Sequence, residues 1–299
     1  MITFLALQAE RIIIPKVGGA RLNGIYSQAL ALASIAIGLM SSFAAQLILP
    51  IYSRLHLAGE DIRQSFNKVH GSASVVAALL VSGMIAAGPA AVKCQFGDQY
   101  QDAGWMLQFV AVGAWFQMLE GTLGATLLTL GQSRSLTVVN ASRLVGVLLF
   151  VPAGYYLGRW FDPGEQVGTL PYGSFLGMLV GFIAADFLRY LVVVWTARKN
   201  GMSALGSDIM MSLLIAIISP AAAVAGWWLA KPFEPHLVAK GHAAIVFFAQ
   251  GILVVVAWGL VYLLWVRKAH GLREAMAEAE GLPEAPGRTI VSYRHIPEA

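Results

Sequence analysis

Between Gly24 and Val266, seven apolar runs follow one another with only short polar breaks between them. They cover about residues 24–52 (B), 73–92 (C), 105–130 (D), 136–157 (E), 172–196 (F), 209–229 (G) and 243–266 (H). A helix needs about 20 mostly apolar residues to cross a bilayer. Each run reaches that length. The runs are rich in Leu, Ala, Val and Ile and do not alternate, which selects helices over a β-barrel. A shorter run, residues 1–14, is apolar except for Glu10 and Arg11 and stops at Pro15. As helix it rises about 21 Å, short of a hydrocarbon core of about 30 Å. It reads as the tail of a span whose beginning is missing, half-span A. The expected fold is therefore all-α: a polytopic membrane helix bundle of about seven full spans plus one partial N-terminal helix.

The segments between the runs add detail. Residues 58–69 place Ile62, Phe66 and Val69 at helical spacing, which predicts either a short amphipathic helix on the membrane surface or a solvated loop. The tail, residues 267–299, is polar and holds Pro283, Pro286 and Pro297. It predicts one short helix over residues 272–279 and then disorder.

Composition agrees: 58% of the 299 residues are hydrophobic and 12% charged, about half the charge of a soluble domain. The net charge of +4 does not call for nucleic acid, because Lys and Arg gather at span ends. Arg54, Arg63, Lys68, Arg134, Arg198, Lys199, Arg267, Lys268 and Arg273 share one side. Lys16, Arg21, Lys93, Arg159, Lys231 and Lys240 share the other. The richer side, and the tail with it, is expected to be cytoplasmic. Cys94 is the single cysteine, so no internal disulfide forms. No basic n-region or cleavage site marks a signal peptide.

Two stretches go beyond hydropathy. One runs Glu10-Arg11, then Gly24-Ile-Tyr26-Ser-Gln-Ala29, then Leu49-Pro50-Ile-Tyr-Ser53-Arg54. The other runs Phe96-Gly97-Asp98-Gln-Tyr100-Gln-Asp-Ala103, then span D, then Leu130-Gly131-Gln-Ser-Arg134. In order and spacing they resemble the C-terminal half of the polysaccharide (oligosaccharide) flippases of the multidrug/oligosaccharidyl-lipid/polysaccharide exporter superfamily. The resemblance implies two lobes around a central cavity. Residues 1–200 would be one lobe, 201–266 two additional peripheral helices, and 267–299 a cytoplasmic tail. The other lobe is expected from an upstream part of a truncated gene model, or from a partner, or is lost in a remnant.

Ionisable residues inside spans are functional candidates by default. Glu120, Arg143, Asp186 and Arg189 all fall within about 8 Å of their span midpoints, on one side. They would line a cavity wall or tie spans D, E and F together as an ion-pair network. Asp186 and Arg189, at i and i+3, can pair locally. Glu10 and Arg11 read as a structural pair near the outer end of half-span A, with substrate contact as the alternative. Asn140 is a further cavity candidate or an interhelical hydrogen-bonding residue. Guanidinium groups suit the pyrophosphate of a polyprenyl-diphosphate-linked sugar, so Arg143 and Arg11 are the expected substrate contacts. Glu120 is alternatively a protonatable coupling group. Gly173, Gly177 and Gly181 form a small-residue ridge on span F for close helix packing. Pro89, Pro152 and Pro220 are expected to kink spans C, E and G. His70, His236 and His242 lie at span ends without metal-ligand spacing, and no metal or other cofactor is expected.

The leading expectation is a non-enzymatic transporter in a bacterial inner membrane. It would flip lipid-linked oligosaccharide for O-antigen, exopolysaccharide or another surface glycan. Its partners would be that lipid, bulk membrane lipid and glycan-assembly membrane proteins, not nucleic acid. A multidrug/cation antiporter, a polysaccharide polymerase or ligase, and a docking scaffold are the alternatives. No nucleotide-binding GxxxxGK[ST] motif is present, so an ion gradient or substrate flux would drive transport.

Overall fold

The computed structural model describes residues 2–57, 62–161, 166–167, 170–236 and 239–279. Nearly all of it is helix: α1 (Ile2–Phe43), α2 (Leu49–Leu57), α3 (Ile62–Phe96), α4 (Asp102–Thr129), α5 (Ser133–Gly158), α6 (Tyr172–Lys199), α7 (Leu205–Ala230) and α8 (Ala239–Ala279). A two-strand hairpin, Gln166–Val167 with Leu170–Pro171, precedes α6. The chain is a multi-pass membrane helix bundle. Among the described residues, six stretches are long and apolar enough to cross a membrane: Ala9–Arg54, Phe66–Phe96, Ser133–Phe161, Tyr172–Lys199, Leu205–Glu234 and Lys240–Trp265. The seventh expected span corresponds to α4, which is long enough but carries Gln108, Gln117 and Glu120. Its polar groups are accommodated because α4 is the most enclosed helix, packed against α1, α3 and α6.

Half-span A and span B are two arms of α1. The break falls at Gly19 (φ 72°, ψ 178°), not at Pro15, which lies inside the first arm. The break is sharp. Tyr26 OH donates to Glu10 Oε2 at 2.9 Å, yet in a straight helix those residues would stand about 24 Å apart. The chain must double back between them. The second arm passes into a π turn, Ala44–Ile48, and on into α2, so Pro50 does not end the helix. Pro50 lacks an N–H for the preceding turn, and the widened turn absorbs that gap.

The amphipathic stretch begins a transmembrane helix. From Ile62 onward it forms the first turns of α3, and Phe66 is buried. Residues 58–61 lie outside the described residues. The helix expected over residues 272–279 is the end of α8, and residues 280–299 lie outside the described residues.

The tightest packing in the bundle joins α5 to α6. The predicted ridge is there, and it faces Gly154 and Gly158 of α5. A Cβ at Gly177 would fall on the Gly154 carbonyl, and one at Gly158 on the Gly173 carbonyl. At Gly181 it would stand 2.5 Å from the Phe150 carbonyl oxygen, and at Gly146 2.9 Å from Ala185 Cα. The two backbones touch over four turns, as small residues permit between helices in lipid. A core of Tyr26, Trp105 and Phe175 edge contacts closes the bundle at the Tyr172 end of α6. At the opposite end, α4 and α6 each stop in a Schellman motif: Gln132 N–H bonds Leu127 O, and Met202 N–H bonds Ala197 O. The glycine this motif requires is Gly131 (φ 71°) in one case and Gly201 (φ 78°) in the other. Gln132 and Asn200 then exchange amide hydrogen bonds, clamping the two helix ends together.

The chain divides into two units, Met1–Trp258 and Gly259–Ala299. Within the first, α7 and α8 present Leu213, Ile217, Phe248 and Ile252 outward, as lipid-facing helices do. They are also fixed by polar contacts. Gln250 Nε2 donates to Ala223 O, and Trp258 Nε1 donates to Ser82 Oγ, both at 2.9 Å. In the second, α8 continues to Ala279.

Candidate functional site

Five side chains converge where the first arm of α1 meets α5 and α6. Arg143 on α5 is buried, at 2% exposure. Its Nε donates to Asp186 Oδ1 at 2.5 Å, and its Nη2 donates to Glu10 Oε1 at 3.0 Å. Asp186 also accepts from Gln117 Nε2 at 2.9 Å. Glu10 accepts from Tyr26 as well, so both carboxylates have two donors. The approach of Asp186 to α4 depends on Gly113, where a Cβ would stand 3.2 Å from Asp186 Oδ2.

A second pair lies one turn further along α6. Arg189 Nη2 donates to Glu120 Oε2 at 2.8 Å and to Asn140 Oδ1 at 2.9 Å. Glu120, Arg143, Asp186 and Arg189 are thus joined across α4, α5 and α6. The sequence left a cavity wall and an ion-pair network open; the structure holds two separate pairs, Arg143–Asp186 and Arg189–Glu120, and Arg143 and Asp186 also line the cavity described below. Asp186 and Arg189 each bond to a neighbouring helix rather than to one another, because three residues on a helix still leave their side chains aimed at different neighbours. Nor do Glu10 and Arg11 form a pair. Adjacent helical positions point about 100° apart, so Glu10 turns inward to Arg143 while Arg11 stays exposed.

Beside this network is a cavity of about 130 Å³. Its polar wall is Glu10, Arg11, Tyr26, Gln117, Arg143 and Asp186; Phe109 and Phe182 supply apolar surface. Arg143 is committed to two carboxylates, so its charge is already matched. Arg11 lines the same cavity, is exposed, and carries a charge that those pairs do not use. Glu120, Arg189 and Asn140 lie outside the cavity lining. Among the described residues no group of His, Cys, Asp or Glu has the geometry of a metal centre.

The cavity wall contributed by α1 lies in a stretch that is similar to a known family. Residues 1–104 match the family model described as polysaccharide biosynthesis protein. The match takes in Glu10-Arg11, Gly24–Ala29, Leu49–Arg54 and Phe96–Ala103; Leu130–Arg134 lies beyond it. It agrees with the flippase resemblance and supports a role in the making or export of polysaccharide. No curated protein and no solved structure matches the chain.

Sequence reasoning passed over one polar cluster. His70 on α3, Asp208 on α7, Tyr190 on α6 and Thr122 on α4 meet in the bundle interior, each at most 3% exposed. Asp208 lies just before an apolar run and His70 just before another, so hydropathy gave neither any weight.

Proposed function

We propose that this chain forms one wall of a conduit that moves polyprenyl-diphosphate-linked oligosaccharide across a bacterial inner membrane, for cell-surface polysaccharide assembly. The observation that carries the reading is the cavity whose α1 wall falls inside the polysaccharide-biosynthesis match and presents Arg11. A pyrophosphate headgroup carries oxygens that a guanidinium fork can bond in pairs. Arg11 is the contact in this reading, being the cavity arginine outside the buried pairs. Arg143 positions the wall: it holds Glu10 of α1 and Asp186 of α6 against α5. Alternating access is a rocking of one lobe against another around a midplane site, and an opposing lobe completes the conduit. In this reading the Gly131 and Gly201 turns face the cytoplasm, an orientation that the positive-inside excess supports.

The test is binding of a polyprenyl diphosphate to the full chain in nanodiscs, with the uncharged polyprenol for comparison. Saturable binding of the diphosphate, weakened about 10- to 100-fold in Arg11→Ala, fits loss of a charge-assisted contact of about 1.5–3 kcal/mol. Equal binding of diphosphate and polyprenol would reject the reading. A surface-glycan assay in a flippase-null strain gives the cellular counterpart: Arg11→Ala at normal expression should lower glycan display.

A further inference from the structure

We propose that His70 and Asp208 together form a proton-binding site inside the bundle, separate from the cavity and independent of the transport reading. The argument is an accounting of hydrogens. Asp208 Oδ2 accepts from Tyr190 OH at 2.7 Å. Asp208 Oδ1 lies 2.8 Å from His70 Nε2 and 3.5 Å from Ser74 Oγ. The short contact between His70 Nε2 and Asp208 Oδ1 needs one hydrogen between them. The other ring nitrogen, Nδ1, stands 3.1 Å from Thr122 Oγ1. A hydroxyl has a single hydrogen, and Thr122 places its own on the Leu119 carbonyl at 2.8 Å. Nδ1 must then be the donor to Thr122. With hydrogens on Nδ1 and between Nε2 and Oδ1, and with Tyr190 keeping its own, the pair holds one proton more than a carboxylate beside a neutral imidazole with a bare nitrogen.

Burial points the same way. His70 is 2% exposed and Asp208 1%. A bare negative charge there would be costly, whereas a pair carrying the extra proton is neutral overall. The groups facing the pair are Ser74 and Phe66 on α3, Thr122 on α4 and Tyr190 on α6; the Phe66 ring stacks on His70 at 5.2 Å. Of these, none brings a positive charge. Arg198 on α6 acts on Tyr190 only electrostatically, and from an exposed position. The ligand of this site is therefore a proton. Separating α7 from α3 would break the bond that retains it, so helix movement and proton release are linked.

The test is the 15N spectrum of histidine-labelled full-length protein in nanodiscs, at about pH 7. The chain has six histidines, and the His70 resonances are assigned by their loss in His70→Gln. Thr122→Val, which removes only the Nδ1 acceptor, assigns them by a shift if His70→Gln fails to fold. The expected result is a proton on Nδ1 of His70 at that pH. A bare Nδ1 at neutral pH, accepting from Thr122, would overturn the proposal.

Discussion

Replacing Gly177 by alanine sets two opposing effects against each other. Alanine favours helix over glycine by about 1 kcal/mol. Against that, the new methyl would land on the Gly154 carbonyl and lie 3.2 Å from Gly158 Cα. Both obstacles are backbone, so no side-chain rotation relieves them. The helices must part by roughly 1 Å, and a gap of that size forfeits about a quarter to a half of each dispersion contact it opens. Overpacking of this kind costs about 1–3 kcal/mol, and the upper end applies where backbone meets backbone. The net expectation for Gly177→Ala is a loss of about 2 kcal/mol. Gly83→Ala on α3 is the control, since nothing lies within 4 Å of its added methyl; it should gain up to about 1 kcal/mol. Unfolding of the two variants in one detergent or bicelle system reads the difference, about 3 kcal/mol. Equal stability of the two would show that the α5–α6 seam is not a backbone contact.

Other outcomes follow from the charged layer and the turns. Arg143→Ala leaves Glu10 and Asp186 without their cation and should destabilise by about 3–5 kcal/mol in an unfolding measurement. Arg11→Ala, by contrast, should change stability by no more than about 0.5 kcal/mol, so a matching loss for both would contradict their assigned roles. A double-mutant cycle on Glu120→Gln and Arg189→Gln should give a coupling energy of about 0.5–3 kcal/mol, and zero coupling would mean the pair does not form. Gly131→Ala forces a left-handed residue at φ 71° and should cost about 1 kcal/mol in thermal stability.

What the sequence revealed was local in origin. The apolar runs gave the helices because their length and composition leave a chain in lipid few choices. The glycine spacing on span F predicted close packing, since a four-residue repeat returns to one helix face. The shared depth of Glu120, Arg143, Asp186 and Arg189 predicted that they would form one layer. The partners within that layer were not legible. Arg143 bonds Glu10 across 133 positions, and His70 meets Asp208 across 138. Such pairs depend on how helices turn about their axes, which hydropathy does not record. Gln108, Gln117 and Glu120 put polar groups inside the otherwise apolar α4, as suits an enclosed helix. The break at Gly19 was obscured by Pro15, which is the stronger helix breaker in a peptide but is tolerated inside the first arm.

The seam between α5 and α6 has a mechanical corollary. Where two backbones touch, neither sliding nor tilting is available without collision, and the amide clamp at Gln132 and Asn200 fastens α4 to the same assembly. These three helices therefore travel as a slab. Any rocking of the lobe has to be taken up at softer points, and the N-terminal stretch supplies two: the doubled-back joint at Gly19 in α1 and the widened coil over Ala44–Ile48 between α1 and α2.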